Sequence, residues 1–325
     1  MNRAASLCFL LAALAPAQQP VADRLADLLT AFEPAGRDTA RKVRITTPSQ
    51  WEARRPHIRR RVLDIMGEFP ASGPLAPLTL SEEDGGTCTL RKVQYSDEAG
   101  RPIPAWLLVP KGSGPFPAIL AAHQTDEGAK DSVIGRAGPP HVHYGKELAG
   151  RGFVVLAPDS ITAGERVLEG AKRYETAPFD AAHPRWSAMG KMCADHRRGL
   201  DYLAGLPFVD ARRIGAIGHS LGGYNAYFLA AFDERVRAVV VSCGFTPMGR
   251  ATRPFAWSRT SWFVHFPRLS PYLRAGILPF DFHEVMALIA PRALFNYSGS
   301  RDSIFPDADA IREAGAQVAA VYDLL

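Results

Sequence analysis

The stretch that most constrains this chain is RIGAIGHSLGGYNAYFLAAF, Arg213 to Phe232. RIGAIG reads as a short apolar strand and LGGYNAYFLAAF as an amphipathic helix, with Gly218-His219-Ser220-Leu221-Gly222 joining them. G-x-S-x-G between a strand and a helix is the pattern of a nucleophile elbow. Glycines two before and two after the serine permit a sharp, strained turn, in which a Cβ at either site meets the neighbouring strand or helix. Ser220 Oγ then stands above the carboxyl edge of the sheet. The Leu221 N–H, at a helix N-terminus, faces a developing oxyanion. Gly223 lets the helix approach closely. His219 holds the variable position of the motif, and the turn directs its ring away from Ser220.

The sequence around the elbow alternates in kind. FPAILAAH (116–123), FVVLAPD (153–159), RIGAIG (213–218) and RVRAVVVSCG (235–244) are short apolar runs bounded by polar residues, as in strands buried on both faces. ALIAPRALFNYSG (287–299) holds a fifth. Between them lie helix candidates in HYGKELAGRG, in about Met192–Leu206 and from Leu221, with another through AIREAGAQVAAVYDLL. This alternation predicts a mostly parallel, doubly wound sheet. Upstream, apolar spacing predicts a helix from about Ser49 to Gly67, and CTLRKVQYS with PIPAWLLVPKG, joined by DEAG, predicts an antiparallel pair. The interval Phe245–His283 fits no regular element and is rich in aromatics; it is either a lid or pocket wall, or a packed excursion burying its own rings. The expected organisation is a leader at 1–17, an N-terminal helix and hairpin within 18–112, and a core at 113–325 interrupted by the 245–283 insertion.

The leader is expected because Arg3 precedes an apolar run, Ala4–Ala15, too short to span a bilayer, and Ala15-Pro16-Ala17 follows with small residues. That is the layout of a secretory signal peptide. It implies a secreted or periplasmic protein with no stable membrane anchor. Without Cys8, the mature protein keeps Cys88, Cys193 and Cys243, an odd number at no metal spacing; Cys243 ends a strand and reads as a buried free thiol. The formal charge of +5 is interleaved with acids, and Arg59-Arg60-Arg61 reads as a solvated helix face, which gives nucleic-acid binding little support.

A serine nucleophile needs an acid, a base and a second oxyanion donor. Asp302, in GSRD after the fifth strand, is the expected acid, because Asp307 and Asp309 beyond Pro306 look like helix-capping residues. The second donor is expected from the loop after the first buried strand: Gln124 N–H, with Thr125 in reserve. His123 ends that strand and reads as a structural hydrogen-bonding group. Asp159 and Arg166 either line the pocket or form an ordinary surface ion pair. The order Ser…Asp…His puts the histidine after Asp302, yet all nine (His57, His123, His141, His143, His183, His196, His219, His265 and His283) precede it. The expectation is therefore that the last strand, its helix and the catalytic histidine lie beyond Leu325. On that expectation residues 1–325 alone are nearly inert and the fifth strand keeps an unpaired edge. His265, in the aromatic segment, is the one earlier alternative. His283 precedes the fifth strand and so enters at its wrong end. His141 and His143 form a pair without a third ligand.

Several stretches together resemble a known family: AAHQTDEGAKDSVIG, YGKELAGRGFVVLAPD, VDARRIGAIGHSLGGYNA and IAPRALFNYSGSRDSIFP. They are similar to secreted bacterial α/β-hydrolases related to dienelactone hydrolases and acetyl xylan esterases. The resemblance implies an α/β-hydrolase fold and a Ser-His-Asp serine esterase. Ser220 matches the nucleophile and Asp302 the acid. The implied substrate is a small-molecule or carbohydrate ester, with no cofactor or metal required. A prolyl-type oligopeptidase shares this catalytic domain but carries a propeller for which too few residues precede Phe116. A hydrolase-like fold kept for binding is the non-enzymatic alternative.

Overall fold

The computed structural model describes residues 45–250, 254–259 and 261–325, preceded by three short strands: β1 (Ser6–Leu11), β2 (Thr30–Ala31) and β3 (Arg41–Lys42). Helix α1 (Pro48–Met66) starts where its chemistry dictates. Thr47 Oγ1 accepts from Gln50 N–H, the Gln50 side chain reaches back to Thr47 N–H, and Pro48 occupies the first turn. Its buried stripe of Trp51, Ile58, Val62, Ile65 and Met66 recurs at helical spacing. Arg59 does not simply face water as expected of the triplet: its guanidinium donates to Ala231 O at 2.7 Å and lies over the Phe232 ring.

Three antiparallel strands follow, β4 (Leu78–Asp84), β5 (Cys88–Ser96) and β6 (Pro102–Pro110). The DEAG turn of the predicted hairpin is tied by Asp97, whose Oδ1 accepts the N–H groups of Ala99 and Arg101 at 2.9 and 2.8 Å. Then come β7 (Phe116–Ala122), α2 (Lys130–Val133), α3 (Tyr144–Gly150), β8 (Val154–Pro158), α4 (Ala177–Ala182), α5 (Ala188–Ala204), β9 (Val209–His219), α6 (Leu221–Phe232) and β10 (Val236–Ser242). The last elements are α7 (Ser270–Arg274), α8 (Phe282–Ala287), β11 (Ala293–Gly299) and α9 (Ala308–Leu324). The main sheet runs β1-β11-β10-β9-β7-β8-β6-β5-β4, parallel from β11 through β8 and antiparallel at both ends.

Both faces of this sheet are covered, and β8 shows how. Val154 and Leu156 join the larger apolar cluster with α1, α5, α6, α8 and α9, while Val155 and Ala157 join the smaller one with α2 and α3. Alternate side chains of one strand thus feed two cores, which is why these strands are apolar throughout.

Three expectations need correcting. The far edge of β11 is not unpaired: β1 lies antiparallel against it, Ser6 opposite Gly299 and Leu11 opposite Leu294. The rest of the leader expected at 1–17 lies outside the described residues. The 245–283 interval is not without regular structure, since it holds 3-10 turns at Met248–Arg250, Pro254–Ser258 and Pro267–Leu269 as well as α7 and the start of α8. It buries Phe245, Trp257, Phe263, Phe266, Phe280 and Phe282 in the core yet leaves Phe255, Trp262 and Tyr272 exposed. Finally, Cys243 is a free thiol as expected but only partly buried, unlike Cys88 and Cys193.

Candidate active site

Ser220 sits between β9 and α6 with φ 53° and ψ −116°, a backbone state that L-residues rarely adopt. Two backbone hydrogen bonds hold it there: its N–H donates to Ser242 O at 2.8 Å, and its carbonyl accepts from Tyr224 N–H at 3.1 Å. The flanking glycines are sterically obligatory. A Cβ on Gly218 would run into the Gly222 backbone, and one on Gly222 into the carbonyl of Ala122 on β7. One on Gly223 would stand 2.9 Å from Ser242 O. His219 turns away, its Nδ1 2.9 Å from Ser242 Oγ, and burial lowers its pKa against the opposing charge of Asp302.

Ser220 opens into a cavity of about 490 Å³. One side is α6 and the 123–126 loop, contributing Tyr224 and Thr125. The aromatic segment supplies Trp257, Arg259, Trp262, Phe263 and His265, and the turn after β11 supplies Ser303–Pro306. The 245–283 interval is therefore both a packed excursion and the wall of the cavity.

Asp302 lies in the turn that follows β11. Its Oδ1 accepts Ile304 N–H at 2.8 Å and Phe305 N–H at 3.0 Å, so the carboxylate folds the turn whose residues line the cavity. It is close enough to His219 at the end of β9, and to Cys243 after β10, for its charge to act on both. Asp307 caps α9, accepting Ala310 N–H at 3.0 Å, and Asp309 lies in the first turn, as expected of capping residues.

The two candidate oxyanion residues of the 123–126 loop part company. Thr125 lines the cavity, whereas Gln124 is buried beside it with its side-chain amide donating to Asp126. His123 is structural: Nε2 accepts Ser160 N–H at 3.0 Å, which leaves the proton on Nδ1 to bond Gln124 O at 2.7 Å, and burial lowers its pKa. His143 bonds the carbonyl of Ala137 at 3.0 Å. His265 is buried in the cavity wall with Nε2 2.7 Å from Tyr224 OH; burial drives its pKa well down.

Asp159 and Arg166 are neither a surface pair nor cavity-lining residues. Asp159 pairs with buried Lys130 at 2.6 Å and accepts Glu165 N–H, while Arg166 pairs with Asp195 at 2.8 Å. Asp195 in turn shares the Lys191 ammonium with Asp97 and Glu98, at 2.6, 2.9 and 2.8 Å. Asp97, Glu98 and Asp195 are the one cluster among the described residues with metal-like spacing, and the ammonium of Lys191 already occupies its centre. Sequence reading also missed Tyr224 and Arg259. Tyr224 follows Ser220 by one helical turn, a signal that was available; Arg259 sits in an irregular segment and had none.

Comparison with known proteins fits this geometry. The sequence matches the dienelactone hydrolase family over residues 103–258. YtaP of Bacillus subtilis (strain 168) is 26% identical over 269 residues, 81% of this chain and 86% of that protein. Esterase FrsA of Escherichia coli O157:H7 is 28% identical over 155 residues, 48% of this chain, so the match spans 31% of that protein's length. Among solved structures, the glucuronoyl esterase from Solibacter usitatus superposes with a TM-score of 0.68 at 20% identity, covering 95% of this chain and 86% of its own. An acetyl xylan esterase-like protein from Bacteroides fragilis NCTC 9343 reaches 0.64 at 20% identity, covering 86% and 74%. These last two likenesses establish the fold. Residues 103–258 thus resemble the dienelactone hydrolase family, within a chain of α/β-hydrolase fold.

Proposed function

We propose that the protein is a serine carboxylesterase acting on an acyl ester of a small molecule or an acylated carbohydrate. The observation that carries this reading is the strained Ser220 backbone, held by two obligatory glycines at the floor of a cavity. A residue kept in so rare a conformation is maintained at a cost, and such strain concentrates where chemistry is done.

In this mechanism Ser220 Oγ attacks the ester carbonyl carbon as a histidine takes its proton. Asp302 holds that histidine's other nitrogen. The oxyanion receives the Leu221 N–H and a second amide from Gln124 or its neighbour Thr125. Collapse expels the alcohol, which takes the proton from the histidine, and water then releases the acyl group by the same steps in reverse order of roles. The histidine belongs, on this proposal, to residues that follow Leu325. Supporting it, His123, His143, His219 and His265 are each engaged by other groups, as their hydrogen bonds describe. Residues 1–17 are proposed as a secretory leader, whose removal would take β1 from the edge of β11. No helix of the described residues is long and apolar enough to cross a membrane.

The test is hydrolysis of 4-nitrophenyl acetate by the product of the complete reading frame, beside residues 1–325 alone. Turnover by the former that Ser220→Ala abolishes, with little by the latter, supports the reading. Equal turnover by both, dependent on Ser220, would place the base within residues 1–325.

A further inference from the structure

A single tyrosine ties the 123–126 loop to the aromatic wall of the cavity. Tyr174 is buried, and its hydroxyl meets both backbone groups of Asp126, a residue 48 positions away. Oη donates to Asp126 O at 2.6 Å and accepts Asp126 N–H at 3.0 Å, so one side chain fixes that stretch of backbone twice. Within the loop, Asp126 Oδ1 accepts Ala129 N–H at 2.7 Å, Oδ2 accepts the Gln124 side-chain amide, and Gln124 O takes the proton of His123 Nδ1. The N–H groups of Gln124 and Thr125 are left without an acceptor among the described residues, and Thr125 lines the cavity together with Ser220. Tyr174 is itself held in a costly state. Its φ is 61°, rare for a bulky residue, and its N–H is anchored on Thr162 O at 2.7 Å. Its ring packs edge-to-face against Trp262 and Phe263 of the cavity wall, with centroids 6.3 and 6.4 Å away.

We propose that Tyr174 is a positioning residue, which holds the 123–126 loop in register with Ser220 so that the Gln124 or Thr125 N–H meets the developing oxyanion. Tyr174 is not among the side chains lining the cavity, so it acts through the loop and not on the substrate. This rests on the reading of Ser220 as nucleophile and deepens it. A hydrogen bond to an oxyanion weakens steeply as distance and angle depart from the optimum. A phenol bonded to both backbone groups of Asp126 resists the peptide rotation that would turn either amide away.

The test uses the product of the complete reading frame carrying Tyr174→Phe, which keeps the ring and removes only the hydroxyl. Tyr322→Phe is the comparison, because its hydroxyl also donates to a backbone carbonyl, Arg292 O at 2.5 Å, at the end of β11 remote from Asp302. Each protein is titrated to saturation with an alkyl fluorophosphonate, so that only intact sites are counted, and assayed on 4-nitrophenyl acetate. Each is also mixed with a trifluoromethyl ketone labelled with ¹³C at the carbonyl. Ser220 Oγ adds to the carbonyl carbon, the π pair moves to the carbonyl oxygen, and the Oγ proton passes to the histidine. Carbon NMR against pH then reads the ionisation of the hemiketal, a direct report on oxyanion stabilisation. Tyr174→Phe is expected to lower kcat per titrated site on the order of ten- to a hundredfold, with KM within a few-fold of the parent. Its hemiketal should ionise about one to two pH units higher, the same loss expressed as a protonation equilibrium. Tyr322→Phe should melt at a lower temperature with kcat and hemiketal ionisation near the parent values. Parent-like kcat and ionisation in Tyr174→Phe, or equal losses in Tyr322→Phe, overturn the proposal. No hemiketal in the parent protein sinks the serine reading and this proposal with it. A parent hemiketal whose ionisation is unmoved by Tyr174→Phe sinks the positioning role alone.

Discussion

Tyr224 OH and His265 Nε2 lie 2.7 Å apart in the wall of the cavity that holds Ser220. Both residues are buried, His265 packs edge-to-face against Phe263, and Trp257 lies against it with ring centroids 4.5 Å apart. The imidazole is thus held by a phenol and two aromatic rings, in the environment of a structural histidine. His265→Gln is expected to leave the Ser220-dependent kcat/KM for 4-nitrophenyl acetate within a few-fold of the parent. Tyr224→Phe should cost about 1–3 kcal/mol of stability, since it strands a buried ring nitrogen. A loss on the order of 10⁶ in kcat for His265→Gln would instead make His265 the base.

The elbow makes a second prediction with opposite signs at neighbouring positions. Ser220→Gly removes a side chain from a backbone at φ 53°, which glycine adopts freely, so it should raise stability by about 1 kcal/mol while abolishing turnover. Gly222→Ala drives a Cβ into the Ala122 carbonyl, on the neighbouring strand β7. That variant should lose several kcal/mol or fail to accumulate. Urea unfolding of the two proteins side by side reads both signs.

His196, on α5, should contribute to the loss of stability in acid. Burial lowers its pKa from 6.5 to about 4, despite the opposing charge of Asp195. A depressed folded-state value means the neutral ring stabilises the fold above pH 6.5, and that contribution is lost as pH falls through 4. The two values correspond to about 3 kcal/mol. Asp180 acts in the opposite sense. Burial raises its pKa from 3.8 to about 6 against a hydrogen bond from Thr176, so its contribution is whole below pH 3.8 and is lost as pH rises through 6. Unfolding free energies measured from pH 4 to 7 should fall toward acid, less steeply in His196→Asn and more steeply in Asp180→Asn.

How much of this was legible in the sequence follows from the range of each interaction. β5 and α6 were read at their observed ends, and α1 one residue late, because their signals are local: side-chain period and flanking glycines. β4 was missed because all seven of its residues are exposed, so LTLSEED shows no buried face to alternate with. The elbow was legible because its steric requirement sits within five residues. The cation–carboxylate network was not. Asp159 and Arg166 look like mutual partners, yet each pairs with a residue 29 positions away on another element, Lys130 and Asp195. Arg259 was invisible for a related reason, since only the packing of Trp262 and Phe263 brings it to the cavity.

The most direct measurement is to treat the product of the complete reading frame with an alkyl fluorophosphonate and locate the adduct by peptide mass mapping. The account predicts a single phosphonyl group on the Ser220 hydroxyl, absent from Ser220→Ala and formed far more slowly in Asp302→Asn. No adduct, or one on another residue with Ser220 unmodified, would contradict it.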